Sequence, residues 1–322
     1  MLDGRTLALI GGVLALLGAA TAVLQIMRRR VDASVDPAIL ETFRLRVKAW
    51  WILMATLAAA FLFGHWATVG LFGMISFWAL REFITLTPTR PGDHRALFWV
   101  FFLITPAHYL AVGMDWYWLY SILIPVYAFL FVPARIAMSG DPKRFLERTA
   151  KIEMGLLISV YCLSYASALL NLDLPDESFS ANARLLFFFV VVVQLSDVLQ
   201  YAWAQLPTKH VIVPTINPGK TWEGLLGGAG SATLLGAALW WATPFPYWLA
   251  AGMSMVVSLL GFAGSLTMSA IKRDRGVKDY GTLVEGHGGV LDRIDSICFA
   301  APVFFHFTRY FLVLTGYMPP IG

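Results

Sequence analysis

The chain has 322 residues, of which 58% are hydrophobic and only 14% charged, with a mean hydropathy of +0.68. A soluble domain carries about a quarter charged residues, so this composition excludes an ordinary soluble protein. The formal net charge of +4 comes with no nucleic-acid-binding motif, and nucleic acid is not expected as a partner.

Apolar runs of spanning length recur along the whole chain. They predict about ten spans, near 7–27, 49–64, 66–81, 97–113, 116–136, 153–171, 184–206, 225–243, 247–271 and 294–316. The expected fold class is therefore all-α: a polytopic integral membrane protein of 9–10 transmembrane helices. The first run is longer than the apolar stretch of a cleaved signal and is followed by Arg28, Arg29 and Arg30, so it reads as a true span. The second and third runs are short, and read either as a helical hairpin or as one broken unit. Cys162 and Cys298 each sit inside an apolar run, which leaves no expectation of a disulfide or a metal–thiolate site.

Lysine and arginine in short loops set orientation. With the N-terminus outside, every basic residue except Arg5, Arg184 and Arg309 falls on the cytoplasmic side. The segment 171–183, NLDLPDESFSANA, carries three acids and no base and falls outside. One missed span would invert everything beyond it, so the asymmetry supports the span count. It also places the two most unusual polar loops, 207–224 and 272–293, on the same cytosolic face.

Arg81-Glu82, at the end of the third run, reads as an ion-paired or interfacial element. Asp197 lies within the seventh run, about nine residues from its cytosolic end, or roughly 13 Å deep at 1.5 Å per residue. An ionisable group at that depth is a candidate functional residue by default.

The loop LPTKHVIVPTINPGKTWEG cannot be one continuous helix, because Pro214, Pro218 and Gly219 interrupt it. Asn217, Lys220, Thr221, Trp222 and Glu223 precede the next apolar run. A helix start with free backbone N–H groups suits an anion, and Lys220 adds a positive charge. The same residues also describe an ordinary capped helix beginning with an interfacial tryptophan.

The later loop, KRDRGVKDYGTLVEGHGGVLDRID, holds Lys272, Arg273 and Lys278 as bases and Asp279, Asp292 and Asp295 as acids. His287 is set among glycines that include Gly288 and Gly289; glycines let a backbone approach a ligand closely. Asp292 and Asp295 share one face at i, i+3. Two carboxylates on one face of an apolar helix are costly unless they meet cations or metal. The loop thus combines bases for phosphates with carboxylates for a hard cation, and Mg²⁺ is held by one or two carboxylates together with substrate phosphates. A solvated loop of charge pairs would account for the charges but not for Gly286-His287-Gly288-Gly289.

The order Ser269-x-x-Lys272-Arg273, Lys278-Asp279-x-Gly281, His287-Gly288-Gly289-x-x-Asp292-Arg293-x-Asp295 resembles the signature of the phosphatidate cytidylyltransferases, or CDP-diacylglycerol synthases. Asn217-Pro218-Gly219-Lys220-Thr221 is similar to that family's upstream Ser-Pro-x-Lys-Thr segment, as are Asp197 and Tyr201. The resemblance covers roughly 195–296. Glu285 stands where the family has proline, Asn217 where it has serine, and Val198 to Gln200 where it has small residues.

The resemblance implies a membrane enzyme, often a homodimer, that uses Mg²⁺ to condense CTP with phosphatidate into CDP-diacylglycerol and pyrophosphate. It implies catalytic roles for Lys272, Arg273, Lys278, Asp279, His287, Asp292 and Asp295. Substrate binding would fall to Asn217, Lys220, Thr221, Glu223, Gly288 and Gly289, and metal binding to Asp197, Asp279, Asp292 and Asp295, with one or two cations. Residues 1–180 would then form an N-terminal region of lipid-facing spans and dimer contacts, and 181–322 the catalytic region. The layout fits a bacterial inner membrane with the site facing the cytosol. Two alternatives stand beside it: a CTP-dependent kinase or cytidylyltransferase acting on another lipid such as a polyprenol, and an ion-coupled transporter using Asp197 and Glu82.

Overall fold

The computed structural model describes residues 3–29, 37–87, 89–176, 178–207, 210–281 and 288–319. Among these residues the chain forms ten main helical segments, a short 3-10 turn at Trp240–Ala242 and one small sheet. The helices are α1 (Gly4–Arg29), α2 (Pro37–Phe63), α3 (His65–Leu86), α4 (Pro91–Gly113), α5 (Tyr117–Ala137), α6 (Phe145–Asn171), α7 (Phe179–Trp203), α8 (Trp222–Ala238), α9 (Tyr247–Asp274) and α10 (Leu291–Leu314). Each predicted span falls on one of them, in order. Helices dominate because a backbone in hydrocarbon must satisfy its own hydrogen bonds.

Seven of these helices, α3 to α7 together with α9 and α10, are long and apolar enough to cross a membrane. The other three predicted spans lie on shorter apolar stretches, Gly4–Ala19 of α1 and Trp50–Phe63 of α2, and on the 17 residues of α8. The second and third runs are separate helices, parted at Gly64, whose φ of +90° is a conformation that glycine adopts at little cost.

Helices α4, α5 and α6 each contain a π-helical stretch, at Val100–Ile104, Leu123–Ala128 and Leu157–Cys162. In α5 the cause is Pro125, which offers no N–H to the carbonyl four residues back. That carbonyl, on Ser121, accepts instead from the Tyr161 hydroxyl of α6 at 3.1 Å.

Helices α7 to α10 pack on one another, and α10 also packs against α6 and α3. Residues Ala181 to Val193 of α7 are all buried, as expected of a helix that is apolar all round. Small residues let the backbones close up. A Cβ on Gly236 of α8 would lie 2.8 Å from the Ala250 carbonyl of α9, and one on Gly264 of α9 would lie 2.8 Å from the Asp295 carbonyl of α10. This close contact brings the polar ends of α7, α9 and α10 together.

Candidate active site

The segment after α7 is not an irregular loop. Val211–Val213 (β1) pairs antiparallel with Asn217–Thr221 (β2), with Val211 opposite Thr221 and Val213 opposite Asn217. β-branched Val211, Ile212 and Val213 favour an extended strand, and Pro214 opens the turn. The Thr221 hydroxyl accepts from the Gly224 amide at 3.0 Å, which makes it the N-cap of α8.

The hairpin is docked on the last turns of α9. The Asn217 amide group donates to Ser269 Oγ at 3.1 Å, and its oxygen accepts from the Gly219 amide at 3.1 Å. Arg273 Nε donates to the Ile216 carbonyl at 3.1 Å. The two polar loops read from the sequence therefore meet. Glu223 is turned elsewhere: it accepts from the His210 backbone amide at 3.1 Å and lies 2.5 Å from His210 Nδ1.

Asp292, in the first turn of α10, is the centre of one cluster. Its Oδ1 accepts from Lys272 Nζ at 2.7 Å, and its Oδ2 accepts from the amides of Tyr280 at 2.8 Å and Gly289 at 2.9 Å. The Lys272 ammonium also lies 5.5 Å from the centre of the Tyr280 ring. Burial and the charges of Asp292 and Asp295 push the Tyr280 phenol upward, so it stays protonated and donates to the Met268 carbonyl at 3.0 Å. Gly288 has φ +81°, and a Cβ there would come within 2.7 Å of Asp292 Oδ2 and 3.1 Å of Asp279 Oδ1. The two acids thus flank one glycine. Asp279 and Lys278 are exposed. His287, with Glu285 and Gly286, lies outside the described residues.

A second cluster lies deeper, between α7 and α10. Asp295 lies in the field of Asp197, and Lys220 acts on both. Asp295 Oδ1 accepts from the Ser296 amide at 2.8 Å. Asp197 Oδ1 is buried without a hydrogen-bond partner. The Lys220 ammonium sits 4.8 Å from the centre of the Phe262 ring. The Gln194 side-chain amide donates to the Arg293 carbonyl at 2.9 Å and ties α7 to the first turn of α10.

The four predicted metal ligands are thus arranged as two pairs, Asp279 with Asp292 and Asp197 with Asp295. Among the described residues no group of three or more His, Cys, Asp or Glu side chains could hold one ion.

Sequence reasoning left Glu82 out of the site. The structure buries it, 5% exposed, at the start of α10, where its oxygens accept from the amides of Val290 and Leu291, each at 2.9 Å. The signal available in the sequence was an acid at the end of an apolar run, and nothing local tied it to a loop some two hundred residues later.

The profile of the cytidylyltransferase family matches residues 44–311. The chain is 37% identical to the uncharacterized protein YnbB of Escherichia coli over 270 residues, which cover 83% of this chain and 87% of YnbB. It is 34% identical to the phosphatidate cytidylyltransferase of Mycobacterium leprae over 172 residues, 53% of each chain. It is 35% identical to that of Staphylococcus aureus over 129 residues, 39% of this chain and 50% of the relative. The chain thus spans about half the length of these two named enzymes. Both site clusters and all seven long apolar helices lie wholly or mostly inside the matched region, and the chain belongs to the cytidylyltransferase family, a membrane nucleotidyltransferase.

Proposed function

We propose that this protein transfers CMP from CTP to phosphatidate, giving CDP-diacylglycerol and pyrophosphate. The observation that carries the reading is the convergence of Lys272, Asp292, Asp279 and Gly288 at the start of α10, beside a hairpin docked through Asn217 and Arg273. Basic groups, carboxylates and a glycine backbone meet there, at the end of helices long and apolar enough to cross a membrane. A polyphosphate and the headgroup of a membrane lipid need that combination.

In the reaction, a phosphate oxygen of phosphatidate attacks the α-phosphorus of CTP. The new P–O bond forms as the bond to the bridging oxygen breaks, and pyrophosphate leaves. The lipid phosphate is already ionised at neutral pH, so no strong general base is needed, and the site has no obvious nucleophile of its own. Catalysis is then positioning and charge neutralisation. Lys272, Arg273, Lys278 and Lys220 hold phosphates, and His287 helps to position one. Thr221, Gly288 and Gly289 bring backbone close to the nucleotide.

The donor set fits Mg²⁺, which binds through one or two carboxylates and completes its shell with water and phosphate oxygens. Asp279 with Asp292, and Asp197 with Asp295, would hold it, and the unpartnered oxygen of Asp197 supports the second pair. When bound, the ion offsets the charge of the reacting phosphates.

In this reading residues 181–322 are the catalytic region, and 1–180 supply lipid-facing spans and the contacts of a homodimer. The site faces the cytosol of a bacterial inner membrane, with the N-terminus outside. The test is a purified-protein assay with CTP labelled at the α- or the γ-phosphate, phosphatidate or polyprenol, and Mg²⁺ or EDTA. The expected result is α-label in phosphatidate, release of pyrophosphate, and no reaction in EDTA. Transfer of γ-label to either lipid identifies a kinase instead. Ion flux into liposomes without CTP turnover identifies a transporter.

A further inference from the structure

We infer that Glu82 of α3 is a positioning residue for this site: it clamps the start of α10 and so aims Asp292. The inference rests on the function proposed above for its catalytic consequence, but not for the clamp itself.

Both carboxylate oxygens of Glu82 are engaged, one by the Val290 amide and one by the Leu291 amide. These amides belong to the first turn of α10, where N–H groups have no intrahelical partner and the helix dipole favours a negative charge. Asp292 is the next residue, and its own oxygens are already committed to Lys272, Tyr280 and Gly289. A shift of the Leu291 backbone would therefore move Asp292 against three partners.

Gly281 and Gly289 have no room for a side chain. A Cβ on Gly281 would come 2.8 Å from Glu82 Oε1, and one on Gly289 would come 2.6 Å from Glu82 Cδ. Two separate stretches of the site's backbone thus close directly on one buried carboxylate. Phe83, its neighbour, stacks on Tyr280 with ring centres 6.3 Å apart, so α3 touches the site at two successive residues. Arg81 lies over the Trp78 ring at 5.2 Å. The acid expected as an interfacial or ion-paired element is a bridge from the N-terminal helices to the polar end of α10.

The test uses the full chain with Glu82→Gln and Glu82→Asp. Gln keeps the size but presents an NH₂ group to one backbone N–H, and Asp keeps the charge but is shorter. Amide hydrogen exchange of a peptide containing 289–292 reads the clamp. Initial rates at varied CTP read its consequence. The expected result is about tenfold faster exchange in that peptide for Glu82→Gln, with other helices unchanged. With it go a kcat lower by about tenfold or more, a KM for CTP changed by less than about threefold, and partial recovery in Glu82→Asp. Unchanged exchange in a folded Glu82→Gln protein overturns the clamp. Faster exchange with wild-type kcat overturns the positioning role. If wild-type protein puts no CMP on phosphatidate, the proposed function fails, and hydrogen exchange alone then decides for or against the clamp.

Discussion

Lys272 Nζ stands 2.7 Å from Asp292 Oδ1, joining the last turns of α9 to the first turn of α10. Both side chains are largely buried, 16% and 8% exposed. The pair is also polarised by its surroundings, since Asp292 accepts two backbone amides as well. Asp292→Asn should lower CMP transfer by about a hundredfold or more, because an amide neutralises neither Lys272 nor a bound cation. Exchanging the two residues should not restore activity, since a lysine at 292 would point at the amides of Tyr280 and Gly289. Rates of the two single variants and the swap, in protein that elutes and melts like wild type, check this. Recovery in the swap would mean the pair serves only as a salt bridge.

Gly288 and Gly276 separate two effects that are usually confounded. Both have positive φ, +81° and +70°. A Cβ on Gly276 would meet nothing within 4 Å, whereas one on Gly288 would press on Asp292 and Asp279. Gly276→Ala should therefore bear only backbone strain, about 1 kcal/mol, and keep most of its activity. Gly288→Ala should lose more than about tenfold in kcat by displacing both carboxylates. Equal activity of the two variants would show that the carboxylates at Gly288 have room to move without consequence.

Asp197 has one buried oxygen, Oδ1, without a hydrogen-bond partner and lies in the field of Lys220. Asp197→Asn should raise the Mg²⁺ concentration needed for half-maximal rate by about tenfold or more and leave the KM for lipid little changed. Lys220→Gln should instead raise the KM for CTP, as expected for a base that meets phosphate. An unchanged Mg²⁺ dependence in Asp197→Asn would assign metal binding to Asp279 and Asp292 alone.

The parts of this molecule that were legible in the sequence are those fixed by local chemistry. Hydrocarbon forces helices, so hydropathy alone located the helical segments, and the order of bases and acids from Lys272 to Asp295 marked one loop as a site. The sequence put both loops on one face, but the docking of Asn217 on Ser269 and of Arg273 on Ile216 is seen only in the fold. Three things were not legible. The hairpin at 211–221 was signalled only by three β-branched residues before a proline. Glu223 follows Lys220-Thr221 in the loop, but the contact of its carboxylate with His210 depends on a turn that only the fold creates. Glu82 meets Val290 across 208 positions, a distance at which pattern carries no information and packing decides.

A final relationship tests whether stability and activity are separable. Arg148, 4% exposed, is held against Asp93, 0% exposed, with Nε 2.9 Å from Oδ1. Arg148 also donates to the carbonyls of Lys143 and Asp141 at 2.7 and 3.0 Å, and Asp93 accepts from the Arg90 amide at 2.9 Å. This knot closes the polar connections flanking α4 and α6, on elements that contribute none of the site groups described above. Asp93→Ala removes the buried carboxylate and leaves the guanidinium only the part-exposed Asp141 carboxylate at 3.3 Å; breaking a buried pair costs about 3–5 kcal/mol in comparable cases. The melting temperature in detergent should fall by several degrees or more. The KM for CTP of the surviving folded fraction should stay within about twofold of wild type, because no phosphate or metal contact is lost. Glu147, near the surface and ion-paired with both Arg144 and Lys151, supplies the control: Glu147→Ala should barely move the melting temperature. Equal losses from the two substitutions would show that the buried knot is no more important to the fold than a surface ion pair.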